Sequence, residues 1–139
     1  MKIIFLNVIF LFSLNSFAKD YLVLSNDTKR DEVIDRETVK NIFLGNKLYW
    51  KSGKRIMPVH LSVEDSSFQV FLEEVIDMDS TQFTSYWRRK LFSGRAYPPK
   101  QFEKDDMIIE FIRKNNAGIG VISKAPDKNS DGLIFFQID

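Results

Sequence analysis

The sequence predicts an α/β fold with a mixed sheet flanked by helices, and three observations carry that expectation. Short apolar or β-branched runs, such as Tyr21–Ser25 (YLVLS) and Ile119–Ser123, alternate with segments of helical periodicity. The stretch from Arg55 to Ile76, RIMPVHLSVEDSSFQVFLEEVI, passes from one pattern to the other within a few residues. The last two strands are separated by a connection too short for a βαβ crossover, which fits an antiparallel relation between them.

The Arg55–Ile76 stretch organises the rest. Ile56, Met57, Val59 and Leu61 form the apolar run of a strand, and Phe68, Phe71, Leu72, Val75 and Ile76 fall at i, i+3, i+4, i+7 and i+8 of a helix. Glu64, Asp65, Ser66 and Ser67 lie between, where the free amides of a helix start need acceptors, so Asp65 or Ser66 is a natural N-cap. A strand feeding a helix start is also where α/β proteins bind anions.

The other elements follow in order. Tyr21–Ser25 is apolar enough to lie inside the sheet. Glu37–Leu44 carries Val39, Ile42 and Phe43 on one face, with Asp35 as N-cap and Gly45 as the stop. Lys51-Ser52-Gly53-Lys54 is a turn that hands the chain to the strand at Arg55. Asp79-Ser80-Thr81-Gln82 has the form of a capping box opening a helix whose Phe83, Tyr86, Trp87 and Leu91 share a face, and Ser93-Gly94 closes it. Pro98-Pro99 forbids helix and reads as a connector. A helix over 104–114 turns Ile108, Phe111 and Ile112 inward, Asn115-Asn116-Ala117-Gly118 ends it, Asn129-Ser130-Asp131-Gly132 is a turn, and Leu133–Ile138 is the last strand.

Residues 1–18 are set aside as a secretory signal peptide: Lys2 precedes the apolar run Ile3 to Leu14, and Ser16-Phe17-Ala18 supplies small residues before a cleavage site. The run is shorter than the roughly 20 apolar residues of a membrane span. Removing 18 of 139 residues leaves 121, one domain covering 19–139. Lys2 is the only charge lost, so 19 basic residues face 19 acidic ones, and nucleic acid is not an expected partner. There is no cysteine, hence no disulfide and no lipid-accepting thiol. The expected product is periplasmic, held by its core alone and not inserted in a membrane.

Candidate chemistry is sparse. His60 is the only histidine, and no spacing gathers carboxylates into a metal site around it. Strand alternation points it away from Val59 and Leu61, half exposed or near the loop. Glu73-Glu74 and Asp105-Asp106 diverge on their helices and read as solvated faces. Ser66, Ser67 and Ser93 lack a hydrolase elbow. Arg88, Arg89, Lys90 and Arg95 are the densest basic cluster, and Arg95, in a loop, is the arginine best suited to clamp an oxyanion with its forked donors. No catalytic set, metal or cofactor is expected.

The order of motifs resembles a known family: Glu37-Thr38-Val39-Lys40-Asn41-Ile42-Phe43-Leu44-Gly45, then Trp50 before a glycine turn, then Met57-Pro58-Val59, then Ala117-Gly118-Ile119-Gly120-Val121. It is similar to the phosphate-binding proteins of bacterial ABC transporters, and to one lobe of their type II periplasmic-binding-protein fold, over nearly all of residues 19–139. The resemblance implies a non-enzymatic substrate-binding-like protein, with phosphate or another oxyanion as ligand and a transporter permease as partner. Where those relatives have an arginine and then Ser-Gly-Thr at the helix start, this sequence has Leu61 and then Asp65-Ser66-Ser67. The implied ligand residues are therefore Ser66, Ser67 and Asp65, with Arg95 and His60 as helpers. An ionised Asp65 repels phosphate and can take the helix-end amides for itself. That departure, with no second lobe to close on a ligand, raises an alternative: a periplasmic interaction or structural module that kept the fold, lost the ligand, and presents exposed aromatics such as Tyr97 or Trp50.

Overall fold

The computed structural model describes residues 21–25, 27–28, 32–124 and 132–137. The expected signal peptide, residues 129–131 of the expected turn, and Ile138 lie outside them. One sheet holds five strands: β1 (Tyr21–Ser25), β2 (Met57–Leu61), β3 (Lys100–Phe102), β4 (Gly118–Ile122) and β5 (Leu133–Gln137), in the order β3-β2-β4-β1-β5. The helices are α1 (Arg36–Phe43), α2 (Ser66–Phe71), α3 (Ser80–Phe92) and α4 (Asp105–Lys114). α2 runs on as a π-helical segment over Leu72–Ile76 that ends at Asp77 in the left-handed region, φ 60°. The five apolar residues picked out by spacing, Phe68 to Ile76, are all buried.

β2 is parallel to both β3 and β4, while β1 is antiparallel to both β4 and β5. The sheet is mixed, but β4 and β5 are not the antiparallel neighbours their short connection suggested. β1 lies between them, and its Leu22, Val23 and Leu24 are buried, which is what a strand covered on both faces requires. β3 was not expected. Its Lys-Gln-Phe has no strand alternation, and Pro99 stands just before its start, where a missing N–H removes no ladder bond.

Side-chain alternation gives the sheet two different faces. Val59 and Leu61 point to one, and α4 covers it. Gly118 and Gly120 of β4 let α4 approach: a Cβ on Gly120 would lie 2.4 Å from Ile108 Cγ2, and one on Gly118 2.6 Å from Ile112 Cδ1. Ile108 and Ile112 are one turn apart on α4, so two glycines two apart on a strand receive them. Pro58 and His60 point to the other face, where Phe43 of α1, Phe68 and Phe71 of α2 and Phe83 of α3 converge.

The helix ends follow local rules. Asp35 Oδ1 accepts from Thr38 N at 2.8 Å, and Asp79 and Gln82 exchange the two bonds of a capping box. The carbonyls that end α1 are met from α3: Trp87 Nε1 donates to Phe43 O at 3.1 Å, and Tyr86 Oη and Lys90 Nζ donate to Leu44 O at 2.6 and 2.7 Å. Gly45 follows at φ +70°, with a Cβ position only 2.6 Å from Trp87 Cη2. Glycine is thus required there for two reasons at once.

Candidate functional site

The polypeptide leaves β2 through Ser62–Asp65 and enters α2, so this loop sits at the carboxyl edge of the parallel strands, the edge where open α/β sheets bind ligands. Asp65 N donates to Ser62 O at 2.9 Å, Glu64 N to Ser62 Oγ at 3.2 Å, and Gln69 Nε2 ties Val63 O at 3.1 Å. Asp65 is the N-cap. Its Oδ1 accepts from Ser67 N at 2.9 Å, from Ser67 Oγ at 2.5 Å and from Phe68 N at 3.3 Å. These are the amide and hydroxyl donors that an anion at the helix start would use, and the preceding carboxylate already holds them. Ser66 is exposed beside them and Ser67 is half-buried.

His60 does not join this group. It is only 3% exposed, stacked on Phe68 with ring centroids 4.2 Å apart and planes 3° apart, and met edge-on by Phe83 at 5.7 Å. The expectation of a half-exposed histidine is corrected: alternation gave its direction, but three helices close over that face. Burial lowers its pKa from 6.5 to about 4, against the smaller opposing effect of its contact with Leu61 O. A carbonyl only accepts, so Nδ1 carries the proton of a neutral ring. Such a histidine gives an oxyanion no charge.

Arg95 is also set apart. It precedes Ala96, which abuts Gly45 on the stretch leading into β2, and β3 starts five residues later in parallel with β2. Arg95 therefore lies toward the edge where β2 begins, while Ser66 and Ser67 follow the edge where it ends. Leu61, which stands at the position of the resembling family's arginine, is 4% exposed and points to the α4 face. Trp50 is not a surface aromatic either: it is 3% exposed and donates Nε1 to Ala117 O at 2.9 Å. Tyr97 is exposed, as expected.

Asp105 was misread as part of a solvated pair. Its Oδ1 accepts from Ser123 N at 3.0 Å, and its Oδ2 from Ser123 Oγ at 2.8 Å and Lys124 N at 3.2 Å, so it fastens the exit of β4 to the start of α4. No local signal in the sequence could have found this, because its partners Ser123 and Lys124 lie 18 and 19 residues away. A polar cavity of about 200 Å³, bordered by Glu32, Trp50, Lys54 and Asn116 among others, lies toward the opposite edge, where β4 begins. Among the described residues no cluster of three or more His, Asp or Glu side chains could hold a metal ion, and no helix is long and apolar enough to cross a membrane.

A parallel β3-β2-β4 core, one reversed strand inside the sheet, and helices on both faces give an α/β fold like one lobe of the periplasmic-binding-protein type. Three solved structures share this fold. One is a phosphate ABC transporter substrate-binding protein from Clostridium perfringens with bound phosphate (15% identity, TM-score 0.57, 86% of this chain and 44% of that one). PstS from Borrelia burgdorferi matches at 17% identity and TM-score 0.60, over 87% of this chain and 47% of that one. An ABC-type phosphate transport receptor from Vibrio cholerae matches at 16% and 0.50, over 86% and 46%. At such identities the likeness is one of fold, and the chain spans less than half the length of each. No protein-family profile and no curated protein matches the sequence.

Proposed function

We propose that the chain is an exported, non-enzymatic module of the phosphate-transporter substrate-binding type, in which the helix start after β2 binds phosphate or another oxyanion only weakly. Asp65 carries this reading: one carboxylate oxygen engages Ser67 N, Ser67 Oγ and Phe68 N, so an oxyanion at Ser66 and Ser67 has to displace a negative charge already bonded to them. The fold shared with phosphate receptors supports the ligand class and a transporter permease as partner. Export rests on the signal-peptide pattern of residues 1–18, and the N-terminal mass of protein recovered from the periplasm tests it.

The same contacts favour a second reading, an interaction or structural module that kept the fold and lost the ligand. One residue separates the two. Asp65→Ala is expected to cost about 0.5–2 kcal/mol of stability, and Asp65→Ser to recover most of it. Calorimetric titration with phosphate and with sulfate is expected to give weak heat for the natural protein and distinctly tighter phosphate binding for Asp65→Ser, which loses the charge and introduces a hydroxyl. A folded Asp65→Ser protein that gives no heat at millimolar phosphate removes the oxyanion reading and leaves the interaction module.

A further inference from the structure

The basic cluster of α3, which the oxyanion site does not use, has a setting of its own. From Ser80 to Phe102 the sequence contains no acidic residue, while Arg88, Arg89, Lys90, Arg95 and Lys100 fall within it; the whole chain carries a formal net charge of only +1. Lys90 is turned inward, bonded to Leu44 O and Asn46 Oδ1. Arg88, Arg89 and Arg95 are exposed and make no ion pair with the described residues.

Apolar side chains stand among these cations. Phe92 is 88% exposed, Tyr97 77% and Leu91 45%. Leu91 and Phe92 lie three and four residues after Arg88, and Phe92 three after Arg89, so guanidinium and apolar groups are neighbours on one helix face. The face is firmly mounted, because Tyr86, Trp87 and Lys90 on the inner side of α3 are hydrogen-bonded to the end of α1. Past the helix, Gly94 turns at φ +71° with nothing within 4 Å of a Cβ position, and Arg95 and Tyr97 continue the exposed surface. The result is a protruding, cationic, aromatic turn.

We infer that this turn, from Arg88 to Tyr97, docks the protein on an anionic phospholipid surface. Charge complementarity selects an anionic partner, since three unpaired arginines face outward with no carboxylate between Asp79 and Glu103. The shape selects a membrane over a protein. Apolar groups that stand out on a turn are received by a headgroup layer that yields around them, and aromatic and arginine side chains are the ones that settle at that boundary. No span is inserted. The inference does not depend on the oxyanion reading, because vesicle binding and phosphate titration are measured separately.

The test is co-sedimentation of the full chain with vesicles of phosphatidylcholine alone and of phosphatidylcholine with phosphatidylglycerol. Two double variants, Arg88→Gln with Arg89→Gln and Phe92→Ser with Tyr97→Ser, share the N-terminus of the natural protein, so differences among them read the turn alone. Their thermal melts report that they fold. Binding is expected to the anionic vesicles only, to weaken with salt, and to fall roughly fivefold for each arginine removed and at least as far in the apolar variant. Equal binding of natural protein and both variants, or no binding to anionic vesicles at millimolar lipid, overturns the proposal. Arginine-dependent binding to soluble polyglutamate without binding to vesicles also overturns it, and assigns the turn to an acidic protein partner.

Discussion

On the face covered by α4 the sheet supplies glycines and the helix supplies bulk; on the face covered by α1, α2 and α3 the sheet supplies His60 and the helices supply phenylalanines. The first arrangement sets a distance. Ile108 and Ile112 sit where no Cβ intervenes, so the spacing of helix and sheet depends on two missing side chains. The second sets an assembly of rings, with Phe68 in contact with His60, Phe71 and Phe83 at centroid distances of 4.2, 5.7 and 6.0 Å. Volume errors on the two faces should therefore be felt differently, and only the aromatic face contains a histidine, whose burial lowers its pKa to about 4.

The largest effect is expected from removing the ring at the centre of the aromatic face. Phe68→Ala should cost about 3–5 kcal/mol, measured by urea denaturation, because it opens a cavity between His60 and Phe83 that rigid neighbours fill poorly. A cost near that of a surface change would mean the rings do not hold α2 to the sheet.

Next comes acid. An unfolded His60 takes up a proton below about 6.5, the folded one only below about 4, so between those values the unfolded state binds the additional proton. This stabilisation is complete above pH 6.5 and is lost as the pH falls toward 4, amounting to about 3 kcal/mol. His60→Phe should flatten that part of a stability–pH profile while leaving the carboxylate-dependent part below it. An unchanged profile would show that the aromatic face does not carry the dependence.

The smallest of the three belongs to the α4 face. Gly120→Ala places a methyl 2.4 Å from Ile108 Cγ2 and 3.1 Å from Val59 Cγ2. Overpacking should cost about 1–3 kcal/mol, and Ile108→Leu in the same chain, which has no Cγ2 methyl, should relieve part of it. Additive costs in the double variant would break the claim that these two residues set one distance.

Much of this architecture was legible because it is local. The spacing of Phe68, Phe71, Leu72, Val75 and Ile76 named a helix and its buried face, and Asp79 with Gln82 named a helix start, since those rules involve residues within two turns. What lay beyond reach depends on partners distant in sequence. β3 exists because β2 offers it an edge, and β5 sits beyond β1 and not beside β4 because an apolar strand from the start of the chain fills that place. At the site, Asp65 as N-cap could be read from its position before Ser66 and Ser67. The removal of His60 into a ring cluster and of Arg95 to the other edge could not, because both follow from how helices and strands are assembled.

The position of β1 has a consequence for the order in which the protein can form. Among the described residues this strand pairs with β4 and β5, whose partners run from Ile119 to Gln137, so its hydrogen bonds wait for the far end of the chain. Closing so long a loop is entropically costly before any pairing rewards it, which places the protein among slow-folding topologies. During synthesis the first strand stays unpaired while β2, α2 and α3 are already made. For a chain threaded across a membrane, as proposed above, the same order keeps the sheet open until its last strands have crossed.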